Sequence, residues 1–351
     1  MSRLVVLSLL CFSAFSVFFV LSFSNFFLVW LALELGTFSV VPILFLSGSS
    51  RGVEASLKYF VVNIVAALVF LVGAFENKFL TGCWGYMFSG EDYSVYLFFI
   101  PLVVKIGLAP FHFWFPEVVQ GVGYLQGLLV STWQKISPIY LCCVIGEGLM
   151  SFTLFLGSFS VLVGGWGGLN QTQVRKIMGF SSISFMGWIF CGVGFGVYVV
   201  FLLFLFYVFV SGGLFLVFSS CRFFSLSMIS KFSGFPVFIG VLVCGVLSLS
   251  GLPPFGGFLL KVVPIGLVIF SDNLVYLFLL IPGALLSLFF YLRLLFNVGF
   301  LIPPVSLGSL NIFRFNLVGY FVSFFVGWLM SLSGFGLLYL GFVSSVVFLG
   351  V

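Results

Sequence analysis

The sequence predicts an all-α, polytopic membrane fold, and three observations carry that expectation. Only 6% of the 351 residues are charged and 62% are hydrophobic, too little polar surface to cover a soluble core. The apolar runs are about 20 residues long, the length a helix needs to cross a bilayer. They are also continuous, as in Phe201–Val217, whereas a barrel strand alternates in polarity over about ten residues. In hydrocarbon every backbone polar group must be paired within its own segment, which a helix achieves.

Breaking the chain at charges and turn residues gives about 11 spans. They run 4–22, 26–47, 53–74, 94–121, 124–147, 150–169, 175–193, 195–220, 234–268, 273–297 and 316–348. The first, Leu4–Leu21 after Met-Ser-Arg, is too long for a signal peptide, and no small-residue cleavage site follows it. It therefore reads as a helix. The fourth and ninth spans, 94–121 and 234–268, exceed one ordinary helix and contain Pro110 and Pro116, and Pro253 and Pro254. Each reads as a helix broken by Pro and Gly. The last run, 316–348, reads as a C-terminal helix, and 1–351 as a single transmembrane domain.

Alternating the loops between the two faces of the membrane sorts the charges. The N-terminal side receives Arg3, Arg51, Arg175, Lys176, Arg222, Lys231 and Arg314; the other receives Glu76, Lys78, Glu91, Asp92, Glu147 and Asp272. The excess of basic residues puts the N-terminus in the cytoplasm or matrix. The net charge of +5 thus marks orientation and does not point to nucleic acid.

An internal echo joins the two broken spans. Gly107-Leu108-Ala109-Pro110-Phe111 resembles Gly251-Leu252-Pro253-Pro254-Phe255, and each stretch has a lysine nearby, Lys105 and Lys261. The spans run in opposite directions across the membrane, the sequence trace of inverted repeats in transporters. Approximate repeats are expected over 26–147 and 150–297.

Four charges lie deep inside apolar runs: Glu34, Lys105, Lys135 and Lys261. A charge at the bilayer centre costs about 2.5–3.5 kcal/mol on insertion scales, so four cost on the order of 10 kcal/mol if the terms add. Such residues face protein or water and are functional candidates. Burial disfavours the charged form of a lysine, and a lysine that is neutral or charged near pH 7 can load and release a proton. Lys105 lies five residues before Pro110, which frees the carbonyl of Ile106 and loosens the helix for water. Glu34, in Trp30-Leu31-Ala32-Leu33-Glu34-Leu35, is its natural partner. The bland readings are a lysine reaching for the headgroups and a static ion pair.

Other polar residues read more modestly. Glu54 and Lys58 are spaced i, i+4 in the order that favours a local pair. His112, the only histidine, is a candidate proton relay or a donor to freed backbone. Arg293 and Glu117 read as side chains reaching for the interface. The seven cysteines form no CxxC and read as small hydrophobes. No P-loop, dinucleotide fingerprint, nucleophile triad, iron–sulfur cysteine framework or bis-histidine haem pattern is present. Energy for any pumping must come from another subunit or an ion gradient. The 53 phenylalanines, with many Val, Gly and Leu, suggest a coding strand rich in T and G, as in an organelle genome.

Several stretches resemble subunit 2 of mitochondrial NADH:ubiquinone oxidoreductase, respiratory complex I. They are Trp30–Leu35, Glu54–Phe60, Lys105–Val118, Thr132–Lys135, Gly164–Met178 and Ser248–Lys261, and the likeness extends from about 28 to 295. The resemblance implies an antiporter-like, proton-translocating membrane subunit in the mitochondrial inner membrane, with its N-terminus on the matrix side. It implies that Glu34, Lys105, Lys135 and Lys261 form a charged axis at mid-membrane, with helix breaks at Pro110, Pro253 and Pro254. FMN, iron–sulfur clusters and ubiquinone would be bound by other subunits, leaving no cofactor or metal here. The implied partners are the other subunits of complex I, especially neighbouring antiporter-like ones, and membrane lipids. One departure stands out: the family often has histidine where this chain has Phe185. Water held by Ser181, Ser182 or Ser184 is the candidate relay across that gap. A free-standing sodium/proton antiporter and a non-pumping scaffold are the alternatives to a pumping subunit.

Overall fold

The computed structural model describes residues 3–299 apart from 47, 86–91, 222, 227, 229–235 and 254. Pro254 and the expected helix 316–348 lie outside the described residues. The described chain is helical, with one isolated antiparallel bridge between Gln173 and Ser225. Eight of its helical stretches are long and apolar enough to cross a membrane, and three shorter apolar helices accompany them. It is a membrane protein by that measure.

The chain divides into two compact units. The first holds residues up to Thr153 together with Val193–Val197; the second holds Leu154–Gly192 and the described residues from Tyr198 on. In the first unit the helices are α1 Arg3–Ser22, α2 Phe26–Phe45, α3 Ser50–Thr81, α4 Asp92–Ile106, α5 Trp114–Gly121, α6 Tyr124–Ser131 and α7 Ile136–Ile145. Neighbours in sequence pack together: α1 on α2, α2 on α3, and α3 on both α4 and α5. Side-chain oxygens meet the first orphan amides of two helices: Asn25 accepts from Phe27 N, and Ser49 from Gly52 N. α3 outruns its expected span of 53–74. Its polar end, Glu76-Asn77-Lys78, continues the helix until Gly82 stops it in the left-handed region at φ 74°.

Two places interrupt the helices of this unit. α4 ends at Gly107, whose φ of 80° only glycine adopts without strain. The fifth expected span, 124–147, is found at Tyr124–Ile145, but it tightens in its middle. A 3-10 turn, Trp133–Lys135, separates α6 from α7. Pro138 explains it: the ring has no N–H to offer the carbonyl of Gln134, and the preceding turn tightens. Lys135 thus sits at mid-span, on the last residue of the 3-10 turn.

The second unit contains α8 Met150–Gly168, α9 Val174–Phe190, α10 Val197–Cys221, α11 Pro236–Ser250, α12 Leu259–Phe270 and α13 Leu277–Gly299. A few residues at the start of α8 belong to the first unit. Small residues let α8 approach two neighbours closely. A Cβ on Gly164 would stand 2.6 Å from the backbone N of Ser184 on α9, and one on Gly165 would stand 2.9 Å from the Gly283 carbonyl on α13. Membrane helices use small residues this way because lipid supplies no hydrophobic drive between them. Gly164→Leu is expected to destabilise the unit by about 3 kcal/mol, the upper end for overpacking. The check is a lower thermal midpoint of the purified, assembled protein.

Candidate functional site

In the first unit, Lys105 occupies the last turn of α4, two residues before the Gly107 break, and is buried. Its ammonium has no hydrogen-bond partner. A cavity of about 20 Å³ adjoins it, lined among others by Thr37, Tyr59, Asn63, Gln134 and Ser137. That volume accommodates about one water, and the lining offers the polar groups a water needs. Glu34 lies on α2, half-buried, and the Thr37 hydroxyl donates to its Oε2 at 3.0 Å. Glu34 acts electrostatically on Lys105 and on Tyr59 without an ion pair within 4.0 Å. The two expected partners therefore share one neighbourhood without closing into an ion pair.

The walls are braced by specific polar bonds. Trp114 Nε1 donates to the Val104 carbonyl at 3.1 Å, adding a second donor to a carbonyl that also accepts from Gly107 N at 3.1 Å where α4 ends. Its ring packs edge-on against Tyr59, centroids 5.9 Å apart. Asn63 Nδ2 donates to the Tyr59 carbonyl at 2.8 Å. Gln126 Nε2, from α6, donates to the Ile43 carbonyl at the end of α2 at 2.7 Å.

Lys135 is the most deeply buried of the three lysines, with 1% exposure and no hydrogen-bond partner. Its Nζ lies 4.0 Å from the centroid of the Phe115 ring, a cation–π contact. Its neighbour Gln134 lines the Lys105 cavity, and the Gln134 amide nitrogen is also buried without a partner. His112 is buried too: Nδ1 donates to the Pro110 carbonyl at 3.2 Å, and its ring lies 4.2 Å from that of Phe113. That bond is to a backbone carbonyl beside the Pro110 break, as one of its two expected roles requires.

Lys58 reaches further than the local pair expected of it. It meets Glu54 at 2.6 Å and, from α3 to α5, Glu117 at 2.7 Å. Glu117 is thus an ion-pair partner and not a side chain reaching for the interface. All three groups are substantially exposed, so the cluster is a solvated or membrane-surface feature.

In the second unit, Lys261 stands in the first turn of α12 and is buried. Its Nζ donates to the Ser250 carbonyl at 2.7 Å and to Ser287 Oγ at 3.4 Å. Ser250 is the last residue of α11, and Gly251 follows at φ 78°. The left-handed turn exposes a helix-end carbonyl, and the lysine takes it. A side chain at Gly251 would meet the lysine itself, Cδ at 2.8 Å and Nζ at 3.1 Å. Arg293 is likewise tied down, donating to the Leu169 carbonyl at 2.8 Å rather than reaching for headgroups.

Ser181, Ser182 and Ser184 are buried on α9, and each donates to the carbonyl three residues back. Their oxygens remain available as acceptors. Phe185 is buried between Tyr207 and Tyr291, with ring centroids 5.9 and 6.4 Å away. The sequence reading overlooked these tyrosines, along with Tyr59 and Asn63. Helical spacing between polar residues was the available signal, as in Ser287 and Tyr291, one turn apart.

Residues 24–289 match the model of a family described as NADH:quinone oxidoreductase/Mrp antiporter, transmembrane. The NADH-ubiquinone oxidoreductase chain 2 of Patiria pectinifera is 40% identical over 95% of this chain and 94% of its own length. That of Pisaster ochraceus is 42% identical over 96% and 97%. Among solved structures, a chain of respiratory complex I from Thermus thermophilus superposes with a TM-score of 0.82 at 24% identity, over 97% of this chain and 80% of that one. A chain of the Mrp complex from Dietzia sp. follows at 0.74 and 19%, over 83% and 60%.

Proposed function

The chain belongs to the NADH-ubiquinone oxidoreductase chain 2 family of antiporter-like membrane proteins, and on that premise we propose that it is a proton-translocating subunit of the respiratory complex. Electron transfer from NADH to quinone takes place in other subunits, which hold the flavin, the iron–sulfur clusters and the quinone. The host membrane is the mitochondrial inner membrane, with the N-terminus in the matrix. The neighbours are other subunits of the complex, antiporter-like ones among them, and lipid.

The work is done by Glu34, Lys105, Lys135 and Lys261. A charge change elsewhere in the complex draws Glu34 towards or away from Lys105, changing how tightly Lys105 holds its proton. Lys135 responds in turn, and Lys261 completes the series. Moving one charge against 100 mV costs about 2.3 kcal/mol. A hundredfold change in the proton affinity of one lysine is worth about 2.7 kcal/mol, enough to drive it.

The observation that carries this reading is the pair of buried ammonium groups at Lys105 and Lys135 that hold no hydrogen bond, the first beside a water-sized polar cavity and within the field of Glu34. Lysines kept only for structure would be paired, because an unpaired buried charge is strongly destabilising. The test is Lys105→Met in the intact complex, with assembly checked on native gels. The expected result is normal assembly and fewer protons moved per electron. An unchanged proton-to-electron ratio in assembled complex would defeat the proposal.

A further inference from the structure

We propose that Tyr291 is a proton relay of the second unit, carrying protons between Lys261 and Ser181 beside Phe185. The inference rests on the proton-translocating reading and adds to it a residue outside the Glu/Lys series.

Ser287 and Tyr291 are one turn apart on α13 and share a face. Ser287 Oγ already accepts from Lys261 Nζ. Tyr291 is fully buried, yet its hydroxyl has no hydrogen-bond partner of good geometry. It interacts with Ser181 on α9 and with Tyr207 on α10. Buried hydroxyls are nearly always met by protein or by an ordered water. An unmet hydroxyl one helical turn from a lysine-bound serine, on a ring packed near Phe185, is therefore a place for water, and a link in a wire.

The chemistry suits a phenol, which both accepts and donates. A proton arriving from the Ser287 side, through water, binds a lone pair of the Tyr291 oxygen. The original hydroxyl proton passes to Ser181 Oγ, and the hydrogen that Ser181 otherwise gives the Met178 carbonyl turns away and passes to a second water, so the serine also ends neutral. One O–H bond forms as one breaks, the phenol ends neutral, and rotation about its C–O bond resets it. Phe185 has no exchangeable proton, so the tyrosines bring exchangeable hydrogen to this ring cluster.

The test is Tyr291→Phe in the assembled complex, a change that keeps the ring and removes the hydroxyl. Coupled turnover should fall about tenfold, with a larger solvent deuterium isotope effect. Adding Phe185→His, which supplies an imidazole able to carry protons near neutrality, should restore it. Native turnover in Tyr291→Phe alongside a dead Lys261→Met overturns the relay and spares the parent reading. Native turnover in both overturns the two together. Should Tyr291→Phe fail to assemble, a density map of the native complex sharp enough for waters decides. A water bonded to the Tyr291 hydroxyl and to Ser181 or Ser287 supports the relay, and a dry hydroxyl overturns it.

Discussion

Replacing Lys135 with methionine is expected to give a complex that withstands heat better than the native one and moves no protons. Methionine matches the length of the lysine stem, so the packing survives. What disappears is an ammonium with 1% exposure and no hydrogen-bond partner. A buried polar group left unmet costs about 1–3 kcal/mol, more when charged. The contact with Phe115 offsets part of this, by about 2 kcal/mol for a desolvated cation–π pair. The net gain should be about 1 kcal/mol, read as a raised thermal midpoint. Lys135→Arg makes the contrast. The guanidinium stays charged at all working pH values, so it keeps the burden and loses the ability to let go of a proton. It should assemble poorly and pump nothing. Normal pumping by Lys135→Met, or a midpoint below the native one, would contradict the role given to this lysine.

A single methyl group at Gly257 is expected to cost more than about 3 kcal/mol, beyond the usual range for overpacking. The 3-10 turn Gly256–Phe258 lies directly on the end of α11. A Cβ at Gly257 would overlap the carbonyl of Ser248 and come within 2.5 Å of its carbon. Both are backbone atoms and cannot rotate away. Relief requires the turn and the helix end to separate, which also carries the Ser250 carbonyl off Lys261. Gly257→Ala should therefore reduce assembled complex severely. Gly266→Ala is the control, because nothing stands within 4 Å of its Cβ and alanine favours a helix. Equal yields of the two variants would refute the close approach at Gly257.

The membrane class and most span positions were legible because the bilayer imposes one length and one backbone solution on every segment. α8 shows this, expected at 150–169 and found at Met150–Gly168. The ends of α3 were harder to read, since a polar helix extending beyond the apolar core leaves no hydropathy signal. The turn at Trp133–Lys135 was missed although Pro138 announces it, because the span keeps its full membrane-crossing length through it. At the site, the charged residues were conspicuous against hydrocarbon. Their partners were not: Ser250 contributes a backbone carbonyl, which every residue has, and Tyr59 and Asn63 matter through position alone. Glu117 meets Lys58 across 59 positions of sequence, a pairing that only the fold creates.

The serines bear on how this molecule moves. Hydroxyl after hydroxyl, from Ser13 and Ser16 through Ser39, Ser56 and Ser160 to Ser248, is spent on the carbonyl three residues earlier in the same helix. Such hydrogens travel with their own rod and tie it to nothing else. Other polar side chains do reach across, Gln126 to Ile43 and Trp133 to Ser13 among them. Sliding one rod past another therefore leaves these serine bonds intact, and at them the resistance comes from side-chain shape, which gives way in discrete steps.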